Sequence, residues 1–268
     1  MNKKSFFISN LGWEKKYDNN IINLLKKNNI RGIDFAPLQI TSNWNNIEKK
    51  TVKYSKFLKS HKININAVQG IFFKKKFNIF RDQKNLDKIL KHFKKIIKIC
   101  KILGCNKIIV GSTEFRNKQN LKKKEADKIF INFLFKILPL LKKEKVFFCL
   151  ETIPKQYNEK YLYNFNHVLS IIKKVNSKWI LINFDTSIFH YKKLNINEFK
   201  KNYNFVKNIQ ITEKKFKFFL KPNKKIIEFC KMLKKNDKFK NINLEIIEDK
   251  TNIDKIDLSI KNLKSLFD

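Results

Sequence analysis

The chain predicts an α/β fold: one closed (β/α)8 barrel of eight parallel strands, forming a single domain over residues 1–268. Three observations carry this prediction. Short runs rich in Ile, Val and Phe occur eight times along the sequence, about one every 33 residues, the length of one strand plus one crossover helix. Lysine-rich stretches with apolar residues at three- and four-residue steps lie between the runs, as amphipathic helices require. No Pro-, Gly- or Ser-rich linker divides the chain, which holds only 5 Gly and 4 Pro. Eight such units in one domain point to a closed barrel. A doubly wound open sheet would need a glycine-rich phosphate loop after its first strand, and "SNLGWE" has a single glycine.

The strand-like runs are "FFISNLG" (6–12), "IRGIDFAP" (30–37), "ININAVQGIFF" (63–73) and "NKIIVGS" (106–112). They continue with "KVFFCLE" (145–151), "KWILINFD" (178–185), "FVKNIQIT" (205–212) and "NINLEII" (241–247). Each core is four to eight residues long and β-branched or aromatic, as expected of buried parallel strands. The helical stretches are clearest in "LDKILKHFKKIIKICKILG", where Ile89, Leu90, Phe93, Ile96, Ile97, Cys100 and Leu103 share one face. Lysines occupy the other face, and Gly104 follows where a C-cap belongs.

A formal charge of +37 suggests a polyanion partner, but only three of the 60 basic residues are arginine: Arg31, Arg81 and Arg116. Base-reading and phosphate-clamping surfaces favour the arginine fork. Here lysine is spread over every segment together with Asn, Ile and Phe, as a bias toward AT-rich codons produces, so no specific nucleic-acid partner is expected. The four cysteines form no CxxC pair and have no closely spaced histidine, which fits a reducing cytoplasm without disulfides or a zinc knuckle. The N-terminal "MNKKSFFISNLGWEKK" lacks the apolar core and cleavage site of a leader. The most apolar helical run, Ile129–Leu141, is interrupted by Lys136 and falls short of the ~20 residues that span a bilayer. A soluble cytoplasmic protein with no membrane partner is expected; a homo-oligomer is compatible with the sequence.

In barrels of this kind chemistry gathers at the C-terminal ends of strands. Those ends supply Gln69, Arg116, Glu151, Asp185, Gln210 and Glu245. The last four end or nearly end four consecutive runs, so three carboxylates and an amide converge at one mouth. Carboxylates gathered at a partly dry site repel one another unless a cation sits among them. An oxygen-only set favours Mg²⁺ or Mn²⁺ over Zn²⁺, so the metal candidates are Glu151, Asp185, Gln210 and Glu245. Taken singly, each carboxylate has a plainer role open to it, capping the next helix or pairing with a surface lysine.

The strings themselves resemble the sugar phosphate isomerase/epimerase group of the xylose isomerase-like TIM barrels, over nearly the whole chain. "GIDFAP" is similar to that family's second-strand "GIEIAP", and "AVQGIFF" to its third-strand "AMQS" region. "VGSTEFR" resembles "GSPKNR" at Gly111, Ser112 and Arg116. "LETIPKQY" keeps Glu-x-x-Pro-x-x-Tyr through Glu151, Pro154 and Tyr157; "NFDTSIF" supplies Asp185 and Thr186, and "LEI" supplies Glu245. Two departures stand out. Gln210, in "NIQITEK", replaces a metal-binding histidine, and Ile188 stands where many relatives carry another.

The resemblance implies a sugar or sugar phosphate as substrate, isomerised or epimerised beside its carbonyl with a divalent metal bound. Glu151 and Glu245 are then the proton-transfer pair acting through an enediolate. Gln69, Arg116, Tyr157 and Glu213 are candidate substrate contacts, with Arg116 facing a phosphate or hydroxyl. Trp13 is a candidate for stacking on a sugar face as well as for ordinary packing. Two rival readings share the barrel: a non-catalytic sugar-binding barrel, and an endonuclease IV-type abasic-site nuclease. The nuclease needs several strand-end histidines for its zinc cluster. Of the four present, His61, His92 and His167 fall in or beside helical stretches, and His190 lies beyond the sixth strand out of register.

Overall fold

Each of the eight predicted runs contains a strand. The computed structural model describes residues 4–81, 83–191, 194–247 and 250–268, so the first three residues of the N-terminal stretch lie outside the described residues. The strands are β1 (Ser5–Ser9), β2 (Gly32–Phe35), β3 (Asn64–Val68), β4 (Lys107–Val110), β5 (Phe147–Glu151), β6 (Ile180–Asp185), β7 (Val206–Thr212) and β8 (Asn241–Glu245). They form one closed barrel in sequence order, and β8 returns to pair in parallel with β1. Closure leaves no free sheet edge. The third run stops short of its predicted end because Gly70, at φ +60°, turns the chain out of the sheet.

The principal helices are α1 (Asp18–Lys27), α2 (Ile47–Ser60), α3 (Gln83–Leu103), α4 (Lys123–Glu144), α5 (Phe165–Val175), α6 (Ile188–Tyr191), α7 (Ile196–Asn202), α8 (Lys224–Lys234) and α9 (Ile253–Ser265). On α3, Ile89, Phe93, Ile96, Ile97, Cys100 and Leu103 are buried, while most of its lysines are exposed. Gly104, at φ +70°, ends the helix as its position predicted. Phe93 meets Phe115, Phe133 and Phe148 at ring-centroid distances of 5.7–6.5 Å, so α3, α4 and the outer face of β5 share one aromatic core. Among the described residues no helix is long and apolar enough to cross a membrane, and all four cysteines are free.

The strands are not uniformly apolar, as the simplest reading of buried parallel strands would have them. Residues facing the helices are: Phe148, Leu150, Ile182, Phe184, Ile209, Ile211, Ile242 and Leu244 all join the main core. The inner positions alternate with these and are largely polar. Asp34, Asn66, Lys107, Asn183, Asn208, Gln210 and Asn243 are all buried. Most of their polar atoms are paired with one another, as burial demands. The alternation is visible in "ILINFD", "VKNIQIT" and "NINLE", where Asn, Gln or an acid recurs every second residue. This polar interior leads to the mouth, where β5, β6 and β8 end in carboxylates.

Candidate active site

Period-two alternation puts Glu151, Asp185 and Glu245 on the inner face at the last position of their strands. All three are buried, and one carboxylate oxygen from each lies within 4.8 Å of the others. Among the described residues this is the cluster whose donor set suits a metal ion. Glu151 and Glu245 line a cavity of about 750 Å³ together with Gln69, Gly111, Tyr157 and Phe216, and Asp185 joins them from outside that lining. That size is in the range of small-molecule sites.

The electrostatics follow from crowding. Burial, and then the Asp185 charge, push the Glu151 carboxyl up to about 8, against the pull of Arg116. Burial and the charges of Asp185 and Glu151 hold Glu245 well above the usual carboxylate range. Asp185 is raised by burial too, but less freely. The Ser187 N–H donates to its Oδ1 at 2.6 Å and the Thr212 hydroxyl to its Oδ2 at 2.9 Å. Hydrogen bonding between the two carboxyls favours the charged form of Asp185 and the protonated form of Glu245. Three carboxylates that repel one another at a buried site suit a divalent cation with hard-donor preference. The donor set therefore fits Mg²⁺ or Mn²⁺.

The remaining predicted residues divide. Gln69 and Tyr157 line the cavity. The Tyr157 hydroxyl accepts from the Lys215 N–H at 2.8 Å and its ring lies 4.9 Å from Phe216, which fixes one wall.

Arg116 does not reach the cavity. It is fully buried, donating from Nε to Glu159 at 2.7 Å and from Nη1 to the Glu151 carbonyl oxygen at 2.7 Å. The expected ligand contact is instead a strut behind the end of β5. Trp13 is likewise enclosed, its indole N–H donating to Asp18 at 2.9 Å, so packing is its role. Glu213 turns toward His190, 3.3 Å from Nε2, and lies outside the cavity lining.

Gln210 is level with Asp185 across the sheet, but β7 runs two residues further, to Thr212, which pairs with Glu245. The rim position on β7 therefore belongs to Thr212. Gln210 sits one inward step below it, accepting from Asn183 and donating to Gln69.

Two positions beside the cluster, Thr212 and Gly111, were given no site role by the sequence. Thr212 orients Asp185, and its signal was the same alternation that picks out Gln210, carried one step further. Gly111 matters for what it lacks. A β-carbon there would overlap the Glu151 carboxylate, so only glycine leaves that group its place.

The sequence pattern of the xylose isomerase-like TIM barrels matches residues 22–260. Among solved structures, a D-psicose 3-epimerase crystallised in the presence of D-fructose superposes with a TM-score of 0.79 at 12% identity, covering 97% of both chains. The 3-keto-D-glucoside 4-epimerase of E. coli gives 0.75 at 10%, covering 98% of this chain and 100% of that one. A structure of the IOLI protein with a bound zinc atom gives 0.68 at 17%, covering 98% and 95%. No curated protein matches the chain in sequence. At these identities the likeness establishes a shared fold.

Proposed function

Because this chain belongs to the xylose isomerase-like TIM barrel family, we propose that it is a sugar isomerase or epimerase that uses a divalent metal and a pair of glutamates. The observation that carries the proposal is the buried triad of Glu151, Asp185 and Glu245, of which Glu151 and Glu245 line the mouth cavity. The epimerase neighbours, one of them crystallised with a ketose, support the substrate class, and the zinc-bound neighbour supports a metal.

Glu151, Asp185 and Glu245 would hold the cation, and the oxygen-only set favours Mn²⁺ or Mg²⁺. When bound, it would supply Lewis-acid polarisation of the sugar carbonyl, lowering the pKa of the adjacent C–H. The chain's own part is proton transfer. Glu151 and Glu245 end β5 and β8, three strands apart around the mouth, and so approach a bound sugar from different sides. One removes the proton beside the carbonyl, and the same group or the other returns it to the enediolate. Return by the same residue to the neighbouring carbon isomerises; return from the other face epimerises. Tyr157 and Gln69 bind and orient the sugar, while the buried floor keeps water from the carbanion.

The test combines metal content, measured on protein purified without chelators, with solvent-deuterium uptake by a panel of ketoses, aldoses and their phosphates. The expected result is stoichiometric divalent metal and deuterium at the carbon beside the carbonyl. No uptake and no bound metal would leave a non-catalytic sugar-binding barrel.

A further inference from the structure

The polar interior of the barrel contains one continuous hydrogen-bonded chain, and it runs in one direction. Lys107, at the first position of β4 and so at the closed end, donates to Asn208 Oδ1 at 2.9 Å. Asn208 Nδ2 donates to Asn183 Oδ1 at 2.9 Å, and Asn183 Nδ2 donates to Gln210 Oε1. Gln210 Nε2 donates to Gln69 Oε1 at 2.9 Å, and Gln69 Nε2 donates to the Ser9 hydroxyl oxygen. Every member is at most 8% exposed, so the links are shielded from bulk solvent. An ammonium has three donors and no acceptor. It accordingly dictates that Asn208 presents its oxygen, that Asn208 nitrogen then faces Asn183, and so on up to the mouth. Turning any one amide would set two oxygens or two NH₂ groups against each other. Asp34 balances the charge through Asn66, which donates to Asp34 Oδ1 at 2.6 Å and accepts from Lys107.

We infer that Lys107 is a positioning residue for the mouth. It sets, through Asn208, Asn183 and Gln210, the orientation of Gln69 in the substrate cavity, and it makes Gln210 a link in this chain instead of a cation ligand. The Gln210 oxygen is committed to Asn183, and the group it presents to the next residue is an NH₂, whose partial positive charge disfavours a neighbouring cation. The part concerning the cation rests on the proposed function; the direction of the chain does not.

The two parts are tested separately. In the parent protein, NMR should detect scalar coupling across the hydrogen bond from Gln210 Nε2 to the side-chain carbonyl carbon of Gln69. Coupling in the opposite sense, from Gln69 nitrogen to the Gln210 carbonyl, would overturn the inference without any variant being made. In Lys107→Met, and in Asn183→Leu should the first fail to fold, the Gln69 and Gln210 side-chain amide signals should move. Their staying in place would also overturn it. Titration with Mn²⁺ should show Gln210→Met within about threefold of the parent, and Asp185→Asn weaker by about tenfold or more. Equal losses would make Gln210 a ligand and refute its assignment as a link. A parent that binds no Mn²⁺ overturns the functional reading and leaves the chain to be judged by its coupling.

Discussion

At the scale of single residues, the site depends as much on what is missing as on what is present. Gly111 carries no β-carbon where the Glu151 carboxylate lies. Gly111→Ala should therefore fold, because the overlap is with a side-chain end, yet displace that carboxylate. Deuterium exchange into substrate should fall by about 10²-fold or more, given how steeply catalysis depends on placement; exchange at the parental rate would show that Glu151 is not held as described. Glu151→Gln and Glu245→Gln should each abolish exchange. The double variant should be little worse than either alone, since under the proposed mechanism both would act in one proton-transfer unit. Additive losses in single-turnover assays would argue that the two glutamates work independently.

At the scale of elements, the end of β5 is braced from behind. Arg116 and Glu159, both fully enclosed, clamp the Glu151 backbone at 2.7 Å. Removing one member of a buried pair strands the other, so Arg116→Met should cost roughly 3–5 kcal/mol in urea unfolding. Loss under about 1 kcal/mol would show that the pair is solvated on the time average. The aromatic seam between α3, α4 and β5 predicts a similar loss by another route: Phe93→Ala opens a cavity among three phenylalanine rings and should cost about 3–5 kcal/mol. The helix face carrying Phe93 was legible from its spacing. The bracing role of Arg116 was not, because its partner Glu159 lies in the loop after β5 and meets it only when that loop folds back.

At the scale of the whole molecule, charge and pH have opposed effects that variants can separate. His92 is buried beside Trp44, donates to the Ile71 carbonyl at 2.6 Å, and is pushed by burial from its ordinary 6.5 to about 4. Between those values the unfolded chain binds a proton that the folded one refuses, so this contribution is present above pH 6.5 and lost as pH falls toward 4. Asp34 is pushed by burial from 3.8 to about 6. There the folded chain holds a proton that the unfolded one lacks, so stability is lost as pH rises through that window. Each effect amounts to about 3 kcal/mol, and they nearly offset. Asp34→Asn should leave the His92 effect unopposed and lose stability more steeply than the parent between pH 6.5 and 4. Parallel urea-midpoint profiles would refute this pairing. The lysines, spread over the outer helix faces, should give only weak duplex DNA binding that vanishes at moderate salt. Fluorescence anisotropy should show no preference for an abasic site, whereas tight abasic-specific binding would revive the nuclease reading.

What the sequence determined by itself was periodic. The spacing of apolar runs set eight strands and their helices, and strand ends named Glu151, Asp185 and Glu245, because period-two and period-3.6 patterns are local properties of the chain. The tertiary structure decided which partner each polar side chain meets. Sheet closure sets β4 and β7 facing across the barrel, so that Lys107 meets Asn208. The two added residues of β7 place Thr212, not Gln210, at the rim. The folding of the loops at the mouth made Arg116 and Trp13 enclosed supports, through Glu159 and Asp18, where the sequence had offered them as candidate ligand contacts. Hydrogen bonds between residues more than 100 positions apart have no period to betray them; they exist only once the barrel has closed and desolvation favours pairing of buried donors with acceptors.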